Sequence, residues 1–355
     1  MAGLFRQNTL TSYLLTLLSC LLLLLTHVNN VCASPVAKDP PPVNYVDLAA
    51  HHWKRVTPIV VSSEVGDNVS VVNPTTDQVI PQGPGTDGGG TDFSLTAIIW
   101  LAFVFVIGIP LALAGIRLWR FTTGMGVGLA VAICLWAAFV NTVSSDGLSD
   151  IVLTVIPVGG FVVGFVFGML DFGRWAGILL IGVLGGLSVG IRVVLLRPGL
   201  LIHAYLVNWL VLALFMIMGL SLILSRQHVG ISGCCAAIGT FLIGLGIDLI
   251  IEKQDGMSFA LRFLLDRNNS HFLAVVHKGY NPSMMTQIIL GITLGATPVL
   301  AFAQHKIFKG PFRPERSQTD ADMASLMDTE SGIGAPEKPA RVSRMQLLKS
   351  RFSMA

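Results

Sequence analysis

From residue 95 onward the chain alternates long apolar stretches with short polar breaks. Seven such stretches, near 95–116, 122–142, 150–170, 175–194, 203–224, 229–250 and 284–304, can be read off the sequence. Each reaches or approaches the roughly 20 residues that a helix needs to cross a hydrocarbon layer. Backbone polar groups in lipid must be satisfied within the chain, so these stretches predict an all-α polytopic membrane fold with seven transmembrane helices. A shorter apolar run at 13–25 follows Arg6 and falls below that length. With Val31-Cys32-Ala33 as a small-residue cleavage site, residues 1–33 read as a signal peptide removed before Ser34, an uncleaved anchor being the alternative.

The polar segments complete the organisation. Residues 34–94, with Pro40-Pro41-Pro42 at one end and Gly88-Gly89-Gly90 at the other, read as a largely disordered Pro/Gly-rich region. The alternation at 58–61 and 69–72 offers a short hairpin within it, although fewer than three strands seldom stand alone. Asn68-Val69-Ser70 and Asn268-Asn269-Ser270 are N-glycosylation sequons, with Asn68 and Asn268 as acceptors, whereas proline disqualifies Asn73-Pro74-Thr75. The membrane domain spans 95–308, and the tail 309–355 reads as disordered, its basic stretch 341–351 offering an amphipathic helix to an anionic surface.

Charge sets the orientation. Arg117, Arg120, Arg174, Arg226, Lys306, Lys309, Arg313 and Arg316 follow the first, third, fifth and seventh helices, so those ends are expected in the cytosol. The N terminus is then luminal or extracellular and the C terminus cytosolic, in a plasma-membrane or endomembrane protein of the secretory pathway. Arg192, Arg197, Lys253, Arg262, Arg267 and Lys278 run against this bias. Within the long loop 251–283, the apolar Met257–Leu265 is too short to span and is expected to lie in the interface or re-enter.

Glycine has a pattern of its own. Gly115–Gly124, Gly168–Gly177 and Ser221–Gly230 each bracket a tight turn with small residues at the two ends of a ten-residue span, which suggests three hairpins plus one further helix. Gly160, Gly164 and Gly168, then Gly182, Gly186 and Gly190, then Gly291 and Gly295 recur every four residues. Helices in lipid associate by van der Waals contact, so these are expected as helix-packing faces within the bundle.

The turn Gly115-Ile116-Arg117-Leu118-Trp119-Arg120-Phe121 with Gly124 and Gly128, the hairpin from Gly168 to Gly186, and Gly230 to Asp248 ahead of the long loop resemble the seven-helix domain shared by transmembrane protein 198 and seven-transmembrane superfamily member 3. The resemblance covers roughly 95–308. It implies a seven-helix fold and, through the association of the family's vertebrate branch with Wnt signalling, a regulatory scaffold rather than an enzyme.

Composition narrows the remaining chemistry. Hydrophobic residues make up 53% of the chain and charged residues 12%, against about 25% charged in a soluble protein. The net charge of +3 is small and the basic residues sit mostly at helix ends or in the tail, so nothing suggests a phosphate-binding surface for nucleic acid, and no such partner is expected. Cys134, Cys234 and Cys235 lie in apolar helices without metal-ligand spacing, so no cofactor and no metal are expected.

Ionisable groups inside a bilayer mark candidate sites. Asp248, in Gly244-Leu245-Gly246-Ile247-Asp248, lies near one end of the sixth helix, and Arg192, His203 and Asn208 are expected at a similar depth. They form a candidate polar cluster, read either as a structural Arg192–Asp248 ion pair or as a substrate or proton site. No carboxylate relay crosses the midplane, where Thr240, Thr293 and the prolines Pro110, Pro157 and Pro298 stand. Gly230-Ile231-Ser232-Gly233 matches the serine motif of intramembrane proteases, with His305 as the one tempting base. A seven-helix receptor would carry an acidic-Arg-aromatic triplet where this chain has Leu170-Asp171-Phe172. The sequence therefore favours a non-enzymatic membrane scaffold or organising component, its partners being the bilayer and other membrane proteins or further copies of itself. The alternative is a transporter or channel for a neutral or lipid-like solute.

Overall fold

The computed structural model describes residues 58–62, 69–83, 85–90, 92–142, 149–202 and 205–308. The signal segment 1–33, the acceptor Asn68, His203 and the tail 309–355 lie outside them. Among the described residues, eight α-helices follow a small sheet: α1 Leu95–Ala114, α2 Trp119–Thr142, α3 Asp150–Met169, α4 Arg174–Leu195, α5 Tyr205–Ser225, α6 Gln227–Ile251, α7 Met257–Leu265 and α8 Met284–Ile307. All except α7 are long and apolar enough to cross a membrane, so the chain is an all-α polytopic membrane protein with seven candidate spans. The spans alternate in direction. The short connections after α1, α3 and α5 share one end of the bundle, here the turn end, and the longer segments gather at the other, the capped end.

Burial separates the helices by their place in each hairpin. The buried share of the apolar window is 50%, 78% and 61% for α2, α4 and α6, against 33%, 33%, 28% and 22% for α1, α3, α5 and α8. The second helix of every hairpin is thus the inner one, and it is also the glycine-rich one. Without a hydrophobic force between helices in lipid, close backbone contact must supply the cohesion, and only glycine permits it. A methyl at Gly186 would strike the Phe215 carbonyl of α5, and one at Gly177 or Gly168 would strike the Thr123 carbonyl of α2. At Gly160 and Gly164 it would meet Leu135 and Val131, and at Gly182 and Gly190 it would crowd Leu220 and Phe215.

Gly291 and Gly295 differ, because nothing lies within 4 Å of a side chain placed there. The expectation of a packing face for this pair therefore needs correcting for the described chain. Helix α8 turns Thr286, Ile289, Leu290 and Thr293 inward, and the two glycines fall on its outer side with exposed Met284, Ile288 and Phe302.

The region before α1 also differs from the disordered reading. β1 Ile59–Ser62, β2 Val69–Val72 and β3 Val79–Ile80 pair antiparallel in that order, with Val60 opposite Val71 and Val71 opposite Ile80. The third strand, too short to see as alternation, is set by the turn before it. Pro74 starts that turn, the Asn73 side chain accepts the Thr75 N–H at 3.0 Å, and Asp77 takes a left-handed φ of 50°.

Residues 82–83, 85–90 and 92 lie across the capped end, here the strap. Trp136 Nε1 donates to the Asp87 carbonyl at 2.8 Å, Thr154 Oγ1 to the Gly88 carbonyl at 2.7 Å, and Ser258 Oγ to the Asp87 carboxylate at 3.0 Å. Gly88 is buried at φ 81°, a backbone conformation that favours glycine, and a side chain there would crowd Leu153. The glycine run is therefore a packed crossing. Helix α7 lies beneath the same end, burying Met257, Ala260 and Leu264 in a cluster with Leu195, Leu212, Tyr280 and Leu290. Its i, i+3, i+7 stripe faces protein.

Candidate functional site

The two ionisable side chains deepest in the spans are Arg192 of α4 and Asp248 of α6, and both are fully buried. They do not pair. Arg192 Nε donates to the Ser188 carbonyl at 3.0 Å, and its Nη2 to the Ala237 carbonyl at 3.0 Å. Its Nη1 reaches Thr240 Oγ1 at 3.0 Å, the Thr293 carbonyl at 2.8 Å and Thr297 Oγ1 at 3.0 Å. Side chains on a helix lean toward its N terminus, and α4 runs toward the capped end. Arg192 therefore leans back into the middle of the bundle, where it joins α4, α6 and α8 through oxygens alone.

Asp248 does a different task. Its carboxylate accepts the Met257 N–H, the first of α7, through Oδ2, and the Thr286 hydroxyl at 2.7 Å through Oδ1. The first N–H groups of a helix have no internal partner, so Asp248 caps α7 from a neighbouring helix. Gly256 makes this possible: a side chain there would fall on the Asp248 carboxylate. One turn further on, Glu252 accepts the Ser283 hydroxyl at 2.7 Å, and Ser283 Oγ in turn accepts the Thr286 N–H at 3.1 Å to cap α8. Two carboxylates on one face of α6 thus fix the starts of α7 and α8. Beside them, Tyr280 donates to the Leu195 carbonyl at 3.1 Å, and burial, then the Asp248 charge, pushes its hydroxyl pKa up.

Asn208 is buried but stands apart from both. It accepts the Ile202 N–H at 3.1 Å and donates to the Ile202 carbonyl at 2.6 Å, closing the loop ahead of its own helix. The expected cluster is in fact three separate fastenings, with His203 outside the described residues. Asn268, the described sequon residue, accepts the Ser270 N–H at 3.0 Å at the start of a turn on the capped end.

Two arrangements escaped the sequence reading. Asp266 and His271 are buried together, with His271 Nδ1 at 2.8 Å from Asp266 Oδ2 and Arg262 Nε at 3.2 Å from the same oxygen. Gly85 of the strap packs directly on Arg262 and His271, so this triad, two of its members buried, holds the strap against α7. At the turn end, His228 and His305 meet Nδ1 to Nδ1 at 3.0 Å, and His228 Nε2 donates to the Phe308 carbonyl at 3.0 Å. Ser232 Oγ donates to the Ala301 carbonyl at 2.8 Å, while His305 is engaged by His228. No nucleophile–base hydrogen bond joins Ser232 to His305.

A family model for the TM7S3/TM198-like domain matches residues 101–305, more than half of the chain and nearly all of the seven-span bundle. The chain belongs to the TM7S3/TM198-like family. The match begins in α1 and ends in α8, so the glycine-packed hairpins, Arg192 and Asp248 all fall inside the TM7S3/TM198-like domain, whereas the sheet and the strap precede it. No curated protein and no solved structure matches the chain.

Proposed function

We propose that this TM7S3/TM198-like protein is a non-catalytic organising or scaffold component of a plasma membrane or endomembrane. The observation that supports it most is the use made of the two deepest ionisable groups. Arg192 bonds to helix oxygens and Asp248 caps one helix and steadies another, so both serve cohesion of the bundle. A substrate or ion path would need such groups at the wall of a cavity. Charge at the helix ends supports a cytosolic turn end and C terminus. The strap and sheet would then face the lumen or exterior, after removal of residues 1–33 and with glycans at Asn68 and Asn268.

The alternative is passage of a neutral or lipid-like solute, and the two readings separate in proteoliposomes. The scaffold reading expects glycerol, proton and fluorescent-phospholipid fluxes equal to those of protein-free vesicles. A flux above that background that Asp248→Asn removes would establish transport instead. Glycan loss in Asn68→Gln and Asn268→Gln, read as a gel shift, tests the orientation. Absence of a shift in both would reverse or redraw it.

A further inference from the structure

The charges at the two ends of the bundle are treated differently. At the capped end Lys253 pairs with Asp92, Lys278 with Asp255 at 3.1 Å, and Arg262 with Asp266 at 3.2 Å. At the turn end stand Arg117, Arg120, Arg174, Arg226 and Lys306, with Asp171 as the one carboxylate among the described residues there. None of these five cations makes an ion pair among the described residues. Three of them lie over aromatic rings instead: Arg120 at 5.1 Å from the Trp119 centroid, Arg174 at 5.6 Å from Trp175, and Lys306 at 5.4 Å from Phe302. Leu118, Leu170 and Phe172 are exposed beside them. An aromatic ring carrying a cation, set among exposed apolar side chains at a span end, fits the headgroup layer of a bilayer.

Helix packing sets two of these cations at one level. α2 and α4 both start at the turn end and run side by side, with Gly177 against the Thr123 carbonyl. Arg120 and Arg174 each stand three residues before that contact, so they occupy the same level on adjacent helices. Arg226 opens α6, which packs on α4 through Gly185 and Cys234. Three guanidinium groups therefore edge the starts of the three inner helices. Guanidinium binds phosphate oxygens in bidentate fashion and keeps its charge at any physiological pH.

We propose that the turn end is a binding surface for anionic phospholipid headgroups, with Arg120 and Arg174 gripping the headgroup phosphate and Arg226 adding to the field. The surface retains such lipids from the surrounding leaflet. The inference goes beyond the scaffold function and does not depend on orientation, since it concerns one end of the bundle whichever side that end faces.

The test uses the full chain in nanodiscs of phosphatidylcholine with a minor fraction of phosphatidylserine. The lipids that stay with the protein on gentle release are counted by native mass spectrometry. The wild type should retain phosphatidylserine over its bulk fraction by about tenfold or more, since each cation at a membrane surface strengthens the attraction severalfold. The Arg120→Gln/Arg174→Gln/Arg226→Gln variant should return the ratio to about that of bulk, and Lys253→Gln/Lys278→Gln at the capped end should keep it. Raising the salt concentration should also lower the wild-type ratio, a readout that needs no variant to fold. Equal retention of both lipids by the wild type would overturn the proposal, as would full enrichment in the triple variant. So would thermal stabilisation by inorganic phosphate in pure phosphatidylcholine equal to that given by phosphatidylserine, which would mark the surface as a site for free phosphate.

Discussion

Arg192 carries a positive charge among helix carbonyls and threonine hydroxyls, and the effect of removing it depends on what replaces it. Thr240 Oγ1 and Thr297 Oγ1 stand 2.8 Å apart and each also lies within reach of a carbonyl of its own helix, so both hydroxyls keep a partner without it. Arg192→Met keeps most of the volume and relieves the desolvated charge, so stability in detergent should change by less than about 1.5 kcal/mol. Arg192→Ala leaves a cavity at the junction of three helices and should cost about 2–5 kcal/mol. Asp248 gives a second contrast. Asp248→Asn can still accept the Met257 N–H and donate to Thr286, whereas Asp248→Ala orphans a buried N–H and should lose about 1–3 kcal/mol. Chemical unfolding followed by tryptophan fluorescence reads both pairs, and an Asn variant as unstable as the Ala variant would mean that the negative charge itself is needed. The sequence singles out both residues as rare ionisable groups in apolar helices. Their partners are hidden because Ser188, Ala237 and Thr293 contribute carbonyls, which have no sequence signature, and Thr286 lies 38 positions from Asp248.

At the scale of helices, glycine spacing shows where backbones approach but not which face is inward. Gly182, Gly186 and Gly190 meet α5, and Gly160, Gly164 and Gly168 meet α2, while Gly291 and Gly295 share the same four-residue spacing and touch nothing. The difference is geometric: α4 is enclosed by α2, α5 and α6, and α8 packs chiefly on α6. Gly186→Ala should therefore strain α4 against Phe215 and cost about 1–3 kcal/mol. Gly295→Ala should be neutral or raise stability by up to about 1 kcal/mol through helix propensity. The Tm of the purified full-length protein distinguishes them. An equal fall in both would show that the outer face of α8 is covered, by a second copy or another partner.

The whole molecule was legible in outline. Seven apolar stretches and three turns bracketed by small residues correspond to the spans and their hairpins within a few residues, because membrane helices must be continuous and apolar. The capped end was not. Its strap is built from Gly85, Gly88 and Gly89, residues that look like linker in sequence and become specific only when Trp136, Thr154 and Ser258 close around their backbone. α7 likewise is too short to classify by length, and its start is defined by a carboxylate on another helix. The proposed scaffold role requires a bundle sealed through its middle, with Arg192 held by protein oxygens and no aqueous path beside it. A single cysteine at Thr240, introduced as Thr240→Cys with the other cysteines changed to alanine, probes that position directly. A charged, membrane-impermeant thiol reagent added to both faces of intact membranes should leave it unmodified, with full modification after unfolding in SDS. Modification in intact membranes at a rate near that of an exposed thiol would contradict the claim and put a water-filled path beside Arg192.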